Sequence, residues 1–172
     1  ADNNAHVLNT SIDDLNKIRW LFTKAMELQG KNGYQVWQSI DEDALLSDIE
    51  NKLQYKIYVD NAIACIFSVQ HNDPFIWGAR DKNDAIYLHR IVVHPAFKGK
   101  RLFDKVLEWA RNFTVEQNKK IIRMDTWAAN KKLISYYQTF GFKLVDYFTT
   151  PGVPELPLQN RNLKVALLEL DI

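Results

Sequence analysis

The sequence contains a single cysteine among its 172 residues. One cysteine cannot build an intramolecular disulfide framework or a zinc site with several thiolate ligands. The sequence also lacks an apolar run near the roughly 18 residues of a membrane-spanning helix, and no signal-peptide pattern is recognisable at its start. We therefore expect a reducing, cytoplasmic setting and no membrane partner.

An excess of one charge is missing as well, since 22 Lys and Arg residues stand against 21 Asp and Glu residues, for a formal net charge of +1. Domains that bind nucleic acids through their phosphates usually carry a marked basic excess. We therefore do not expect a nucleic acid as partner. The basic stretch from Lys98 to Lys105 could contact one, which leaves nucleic-acid binding as a weak alternative.

Apolar residues, in contrast, are plentiful: 47% of the chain is hydrophobic, with five Trp, seven Tyr and nine Phe. A chain of this length and composition can bury a sizeable core. No repeat and no Pro-, Gly- or Ser-rich linker divides it, so we expect a single domain over residues 1–172. Three of the five prolines fall within 151–157, which predicts an irregular loop there.

Hydrophobic periodicity predicts the order of helices and strands. Apolar residues spaced by three and four predict helices, and short apolar or alternating runs predict strands. The prediction is a strand at 5–9, a helix capped at 10 or 11 and ending near 30–33, a helix at 41–52, strands at 56–59, 62–69 and 85–93, a helix at 103–116, a strand at 120–126, a helix at 130–140, and strands at 142–148 and 163–170. Antiparallel meanders followed by a central strand–helix–strand crossover indicate a mixed α/β layer architecture.

The most informative segment, 87–107, runs from a strand through a turn at Pro95 and a short basic loop around Gly99 into a helix. The first amides of a helix have no intrahelical partner, and the helix dipole favours negative charge there. Lys98, Lys100 and Arg101 add cations, so the segment is typical of a phosphate or pyrophosphate site. A plain connection with solvated lysines is the alternative interpretation.

A second segment, 130–142, follows the next predicted strand and contains an Asn, a Tyr seven residues later and then a Gly-Phe pair. The two segments, in this order, resemble the GNAT superfamily, the GCN5-related N-acetyltransferases. The resemblance covers about residues 57–148. The positions that carry it are Val93, Pro95, the loop 98–103, Asn130, Tyr137, Gly141 and Phe142.

The resemblance implies the GNAT fold, an α/β (α+β) structure with a mixed, mostly antiparallel sheet of about seven strands and helices on both faces. It implies transfer of an acetyl group from acetyl-CoA, as acyl-donor co-substrate, to a primary amine of a small molecule or peptide. Dimers are common in the family, so a homodimer is possible for this chain. The alternative is a non-catalytic GNAT-like module that senses CoA or binds a protein.

The resemblance also implies which residues contact the coenzyme. They are Ile91, Val92, Val93, Lys98, Gly99, Lys100, Arg101, Leu102, Phe103, Asn130, Leu133 and Tyr136. Arg101 and Phe103 depart from the family pattern, which has small residues at both positions. We expect Arg101 to keep helical φ and ψ angles, and Phe103 must point toward the sheet if the site is to stay open.

Two residues are candidates for catalysis. The resemblance assigns to Tyr137 the role of the acid that protonates the leaving thiolate, and a packed helix aromatic is the alternative. Amine acetylation benefits from a base near pKa 7, which suits His89; a core histidine is the alternative. Strict alternation would place Tyr87, His89, Ile91 and Val93 on one face of the strand, and Leu88, Arg90 and Val92 on the other.

The acceptor pocket is less clearly marked. The candidates for contact with the acceptor are Tyr34, Trp37, Asp73, Trp77 and Asp125; the two tryptophans could instead cover the core, and Asp125 could be a turn residue. Arg90 is expected to pair with a carboxylate, and Cys65 to be a buried strand residue. No His, Asp or Glu cluster has metal-ligand spacing along the chain, so no metal is expected.

Overall fold

The computed structural model describes residues 5–33 and 40–172. Its seven strands are β1 (Ala5–Asn9), β2 (Gln54–Val59), β3 (Ala62–Gln70), β4 (Ala85–Val93), β5 (Ile121–Trp127), β6 (Lys143–Thr149) and β7 (Lys164–Asp171). Its α-helices in that part of the chain are α1 (Leu15–Lys31), α2 (Glu42–Glu50), α3 (Pro74–Trp77), α4 (Leu102–Glu116) and α5 (Lys131–Gln138). All the predicted elements are present with slightly different ends, and α3 is the one α-helix of the described residues that was not predicted.

Local sequence signals explain how several elements begin and turn. The carboxylate of Asp41 caps α2 by accepting the amide of Ala44 at 3.0 Å. Ahead of α1, the backbone amide of Ser11 donates to Asp14 Oδ2 at 2.8 Å. Asp60 and Asn61 both have positive φ angles, 49° and 65°, which is the geometry of the tight hairpin turn that joins β2 to β3.

The strands form one sheet in the order β1-β2-β3-β4-β5-β7-β6. Neighbouring strands are antiparallel except β4 and β5, which run parallel. The parallel pairing joins only Ala85–Tyr87 to Ile121–Arg123 and then stops. The two central strands therefore diverge toward their carboxyl ends and leave a wedge between them.

Helices cover both faces of the sheet. On one face, α4 and α5 pack over a core that includes Phe103, Val106, Ile122 and Leu168. On the other, α1 and α2 pack over Ile18, Phe22, Leu45 and Ile66, and α3 packs over Tyr87 and Leu167. This mixed, mostly antiparallel seven-stranded sheet confirms the predicted fold class. Among the described residues, no helix is both long and apolar enough to cross a membrane.

The central strand β4 contains an extra residue. Ser68 of β3 pairs with His89, whereas Ile66 pairs with Val92, so β4 has one more residue than β3 between these two pairs. Arg90 accommodates the extra residue with a φ angle of 50°. Such a bulge interrupts the alternation of side chains along a strand.

The bulge makes the predicted face assignment of β4 wrong. Tyr87 packs on the side of α3, whereas Ile91 and Val93 pack against the cluster under α4 and α5. Leu88 and Val92, which were predicted to share a face, likewise lie in opposite clusters. A strand with period two cannot be followed through an inserted residue, because every later side chain changes face.

Candidate active site

A cavity of about 260 Å³ lies in the wedge between β4 and β5, and we call it the wedge cavity. Its lining comes from β4, from β5, from the end of α1 and from the start of α5. The polar side chains that matter below are those of His89, Asp125, Asn130 and Tyr137. Divergence of the two central strands thus creates a space at the middle of the sheet.

A larger groove of about 860 Å³ runs from the basic loop along β4, and we call it the coenzyme groove. It is lined by Ile91–Val93, by the loop that follows β4, and by residues of α1 and α5. Ile91, Leu133 and Tyr137 line both the groove and the wedge cavity. The two spaces therefore meet beside the ring of Tyr137.

The loop before α4 presents free backbone donors to the groove. The amides of Lys98 and Lys100 are used inside the loop, where they donate to the carbonyls of Pro95 and Phe97. In the described part of the chain, the amide of Gly99 has no backbone acceptor. Leu102 opens α4, and the first amides of a helix have no intrahelical acceptor. These donors, with the helix dipole behind them, suit an anionic group.

Arg101 adopts the left-handed conformation, with φ 58° and ψ 41°. The expectation that it keeps helical angles is therefore wrong, because the chain enters α4 with positive φ angles at both Gly99, where φ is 77°, and Arg101. A non-glycine residue in this region costs about 1–2 kcal/mol. The guanidinium of Arg101 donates to Asp104 Oδ2 at 2.6 Å, and the other carboxylate oxygen of Asp104 is buried without a hydrogen bond among the described residues.

Phe103 is only 5% exposed and lies in the core beneath the sheet. Its ring centroid is 5.0 Å from that of Tyr137 and 5.0 Å from that of Phe140. The ring thus points toward the sheet, which is the orientation that an open site requires, and it forms part of the groove wall.

The coenzyme residues named from the sequence have three different placements. Most of them line the coenzyme groove: Ile91, Val92, Val93, Lys98, Gly99, Arg101, Leu102, Phe103, Leu133 and Tyr136. Asn130 instead lines the wedge cavity and caps α5, where its side-chain oxygen accepts the amide of Leu133 at 3.2 Å. Lys100 lies in the same loop but not on the lining of the groove.

Tyr137 and its neighbour Tyr136 have different surroundings. Tyr136 is 43% exposed at the groove, whereas Tyr137 packs between Phe103 and Phe142. Burial raises the pKa of the Tyr137 phenol well above its usual range. The phenol therefore carries its proton throughout the ordinary pH range and can donate it.

His89 lies largely buried between two carboxylates. Its Nε2 is 2.9 Å from Asp73 Oδ2, and its Nδ1 is 3.5 Å from Asp125 Oδ1. Burial lowers the pKa of His89, but the two carboxylates outweigh it and hold the pKa above its ordinary value. Burial raises the pKa of Asp125 to about 6, against the attraction of His89.

Spacing along the chain did not predict this cluster, because Asp73, His89 and Asp125 come from three separate segments. Their ligand-type atoms lie within 4.8 Å of one another. The short contact between His89 and Asp73 is a hydrogen bond. In this structure the imidazole of His89 is therefore held by its hydrogen bond to Asp73.

A second cavity of about 310 Å³ lies on the other side of His89, and we call it the outer cavity. Asp48, Asp73, Phe75 and Glu155 contribute to its lining. Arg90 lies in its wall and donates to Asp48 and to Ser68 Oγ, which agrees with the prediction that Arg90 pairs with a carboxylate.

The substrate candidates are placed unequally. Asp73 and Asp125 both contact His89, while Tyr34 and Trp37 lie outside the described residues. The candidate role of Trp77 requires a correction, because its side chain is only 2% exposed and fills the core beside Tyr87.

The physical reason is the short helix α3, which begins at Pro74 and turns its last residue, Trp77, inward. Its second residue, Phe75, is 40% exposed and lines the outer cavity instead. A proline at the first helical position was the available signal for this helix. Cys65 is fully buried in β3, as predicted, and burial raises the pKa of its thiol to about 12.

Comparison with known proteins places this geometry in a family. A model of the acetyltransferase (GNAT) family matches residues 15–142. The uncharacterized N-acetyltransferase YesJ of Bacillus subtilis is 25% identical over 141 residues, which are 77% of this chain and 78% of YesJ.

Solved structures agree on the fold. A GNAT-family acetyltransferase from Listeria monocytogenes superimposes with a TM-score of 0.79 at 20% identity, over 98% of this chain and 95% of that one. The Salmonella typhimurium protein yncA, solved with its cofactor acetyl-CoA, gives a TM-score of 0.67 at 18% identity, over 98% and 94% of the two chains. On the match of the family model to most of its length, the chain belongs to the acetyltransferase (GNAT) family.

Proposed function

We propose that the protein transfers the acetyl group of acetyl-CoA to a primary amine of a small molecule or peptide by direct attack. The observation that carries the proposal is the junction of the coenzyme groove and the wedge cavity at Tyr137. A thioester that reached this junction along the groove would meet an amine entering through the cavity. Family membership supports acetyl transfer in general, and the geometry supports this route.

The groove suits the donor because its two ends offer different chemistry. At the loop, the free amides at the start of α4 and the nearby Lys98 and Arg101 are donors for a pyrophosphate. Along β4, the pairing with β5 stops at Tyr87, so within the described residues the backbone of Ile91–Val93 is unpaired on the side that faces β5. The amides and carbonyls on that side are therefore available to the amide-containing arm of a coenzyme, whereas β3 pairs with the other side.

The acceptor amine must be neutral to attack, since an ammonium has no lone pair. His89 is the proposed base: it lies at the wedge cavity, and Asp73 fixes its ring by the 2.9 Å hydrogen bond. Attack on the thioester carbonyl forms a carbon–nitrogen bond, and the carbon–sulfur bond then breaks. The leaving thiolate takes a proton from Tyr137, whose phenol remains protonated at neutral pH.

The proposal is tested in two steps. Acetyl-CoA at millimolar concentration should raise the melting temperature of the protein, because a ligand that binds only the folded state stabilises it. A panel of amines should then reveal an acceptor through release of free CoA thiol. Failure of acetyl-CoA and of other short acyl-CoA thioesters to shift the melting temperature would overturn the proposal.

One observation favours a second candidate, a module that binds the coenzyme without catalysis. Arg101 stands where the resembled family has a small residue, and it adopts a left-handed conformation with its guanidinium bonded to Asp104. This candidate expects a shift of the melting temperature by acetyl-CoA together with no thiol release for any amine. It also expects Tyr137→Phe to leave the function of the protein unchanged.

A further inference from the structure

Three side chains, Asp125, His89 and Asp73, stand in a row between the wedge cavity and the outer cavity. Asp125 lines the wedge cavity but not the outer one, and Asp73 lines the outer cavity but not the wedge. His89 lines both. The imidazole is therefore part of the wall between the two spaces, with one carboxylate on each side.

The hydrogen bonding of the row has a direction. A carboxylate can only accept, so the 2.9 Å contact with Asp73 assigns the proton of a neutral imidazole to Nε2. Nδ1 then presents its lone pair toward Asp125 Oδ1 at 3.5 Å. That oxygen is buried and has no hydrogen bond among the described residues. The row thus has a donor pointing to the outer cavity and an empty acceptor on the side of the wedge cavity.

The outer end of the row is held in place independently of His89. The backbone amide of Asp73 donates to Asp81 Oδ2 at 2.8 Å, and the hydroxyl of Tyr87 donates to Asp81 Oδ1 at 2.9 Å. The other charge that faces His89 is Arg90 on the same strand, and Asp48 of α2 neutralises it. The electrostatic balance of the row is therefore set by its two carboxylates.

The two cavities differ in their access to solvent during the proposed reaction. Coenzyme and amine together would occupy the groove and the wedge cavity, and so displace solvent from them. The outer cavity remains open, since Phe75 is 40% exposed and Glu155 is exposed on its rim. A proton taken from the amine can reach solvent through the wall without passing the bound substrates.

We propose that Asp125, His89 and Asp73 form a proton relay that carries the proton of the acceptor ammonium from the wedge cavity to the outer cavity. This proposal rests on the proposed acetyl transfer and adds the fate of its proton. Asp125 contacts the ammonium and passes its proton on to Nδ1 of His89, which is the base named in the proposed function. The proton on Nε2 passes to Asp73 and from there to water. One proton enters and one leaves, and no electrons are transferred. After the products leave, Nδ1 loses its proton to solvent in the emptied wedge cavity and Nε2 gains one from the outer cavity, which restores the starting tautomer of the ring.

The relay makes a prediction that a merely structural role of Asp73 does not share. With Asp73→Asn, kcat for an accepted amine should fall at least tenfold at pH 7, while KM for acetyl-CoA stays within twofold. The loss should shrink as the pH approaches the pKa of the amine in solution, because the amine then arrives neutral and needs no relay. Glu155→Gln, which removes a carboxylate from the same cavity without touching His89, should behave as the wild type at every pH.

Nuclear magnetic resonance of ¹⁵N-labelled histidine gives a readout that needs no acceptor. The His89 ring should be the Nε2–H tautomer when neutral, and both Asp73→Asn and Asp125→Asn should lower its pKa. A melting temperature near that of the wild type would show that each variant is folded. The proposal is overturned if Asp73→Asn keeps wild-type kcat, if its loss of kcat is the same at every pH, or if the tautomer is Nδ1–H. Failure of the wild type to acetylate any amine would instead overturn the proposed function itself.

Discussion

The ring of Phe103 packs against the ring of Tyr137 with 5.0 Å between their centroids. Phe103 belongs to the first turn of α4, where the donors for an anion lie, and Tyr137 belongs to α5, where the groove meets the wedge cavity. The contact therefore joins the first turn of α4 to α5. The bulky residue at the start of α4, which departs from the family pattern, packs against α5 here.

Tyr137→Phe should lower kcat by roughly 10- to 100-fold and leave KM for acetyl-CoA nearly unchanged. A general acid contributes about 10²–10⁴-fold, and the effect falls toward the low end because a thiol with a pKa near 8–9 leaves without much help. Steady-state rates of thiol release measure it. Tyr136→Phe is the matched control, since it removes the same atom from the exposed neighbour, and an equal loss in both variants would contradict the role of Tyr137.

Arg101→Gly and Arg101→Ala should differ in stability by about 1 kcal/mol, with the glycine variant the more stable. Both variants lose the exposed ion pair with Asp104, but only glycine adopts a φ of 58° without steric cost. Urea unfolding of the two variants gives the difference directly. Equal stabilities would show that the left-handed conformation is not maintained in solution. Both variants should also bind acetyl-CoA more weakly than the wild type, because a cation is missing from the groove.

Asp125→Asn should stabilise the protein at pH 7 and have little effect at pH 4. The pKa of Asp125 is raised to about 6, above the value of about 3.9 for an unfolded carboxyl group. Between these values the folded state binds more protons, so the free energy of unfolding of the wild type falls as the pH rises. The raised pKa of His89 extends this loss of stability toward neutral pH.

The asparagine variant lacks the buried charge, so its free energy of unfolding at pH 7 should exceed that of the wild type by roughly 1–3 kcal/mol, at 1.36 kcal/mol per unit of pKa. Urea unfolding at pH 4 and pH 7 measures the two differences, with Glu155→Gln as the exposed control. If the variant gained more free energy of unfolding at pH 4 than at pH 7, the pH dependence would be opposite to the expected one, and a raised pKa of Asp125 would be refuted. Transfer activity should fall in the same variant, since Asp125 faces the amine.

Trp77→Phe should lower the free energy of unfolding by roughly 1–2 kcal/mol without changing KM for an accepted amine. The Trp77 ring is buried against Tyr87 and lies 4.6 Å from the Arg123 guanidinium carbon, so a smaller ring leaves a void in the core. Chemical unfolding and amine kinetics test the two halves of the expectation. Phe75→Leu, at the exposed outer cavity, is the control and should cost little stability. A change in KM for the amine in Trp77→Phe would show that Trp77 does contribute to the acceptor site.

The sequence predicted the fold because its local signals agree with the final structure. The helix from Leu102 to Glu116 and the strand from Ala85 to Val93 follow from periodicity, and the loop between them follows from Pro95 and Gly99. The assignment of the groove residues came from a resemblance in two segments, and the structure brings most of those residues to one surface. Two segments that were interpreted separately thus lie together on one surface of the structure.

What the sequence could not predict depends on contacts between distant segments. Asp73, His89 and Asp125 meet only because β4 and β5 are neighbours and the connection after β3 folds back over them. No spacing rule joins positions so far apart. The left-handed angles of Arg101 and Arg90 were missed because arginine carries no preference for that conformation.

The bulge at Arg90 allows one strand to serve two layers of the protein. Its first half directs His89 toward Asp73 in the connection before α3 and toward Asp125 of β5, and its second half directs Ile91 and Val93 toward the core under α4 and α5. Deletion of residue 90 would therefore disrupt the packing of β4 in a way that no substitution at this position could. The last residues of the strand would change face, so that Ile91 and Val93 would exchange places with Val92 between the two layers.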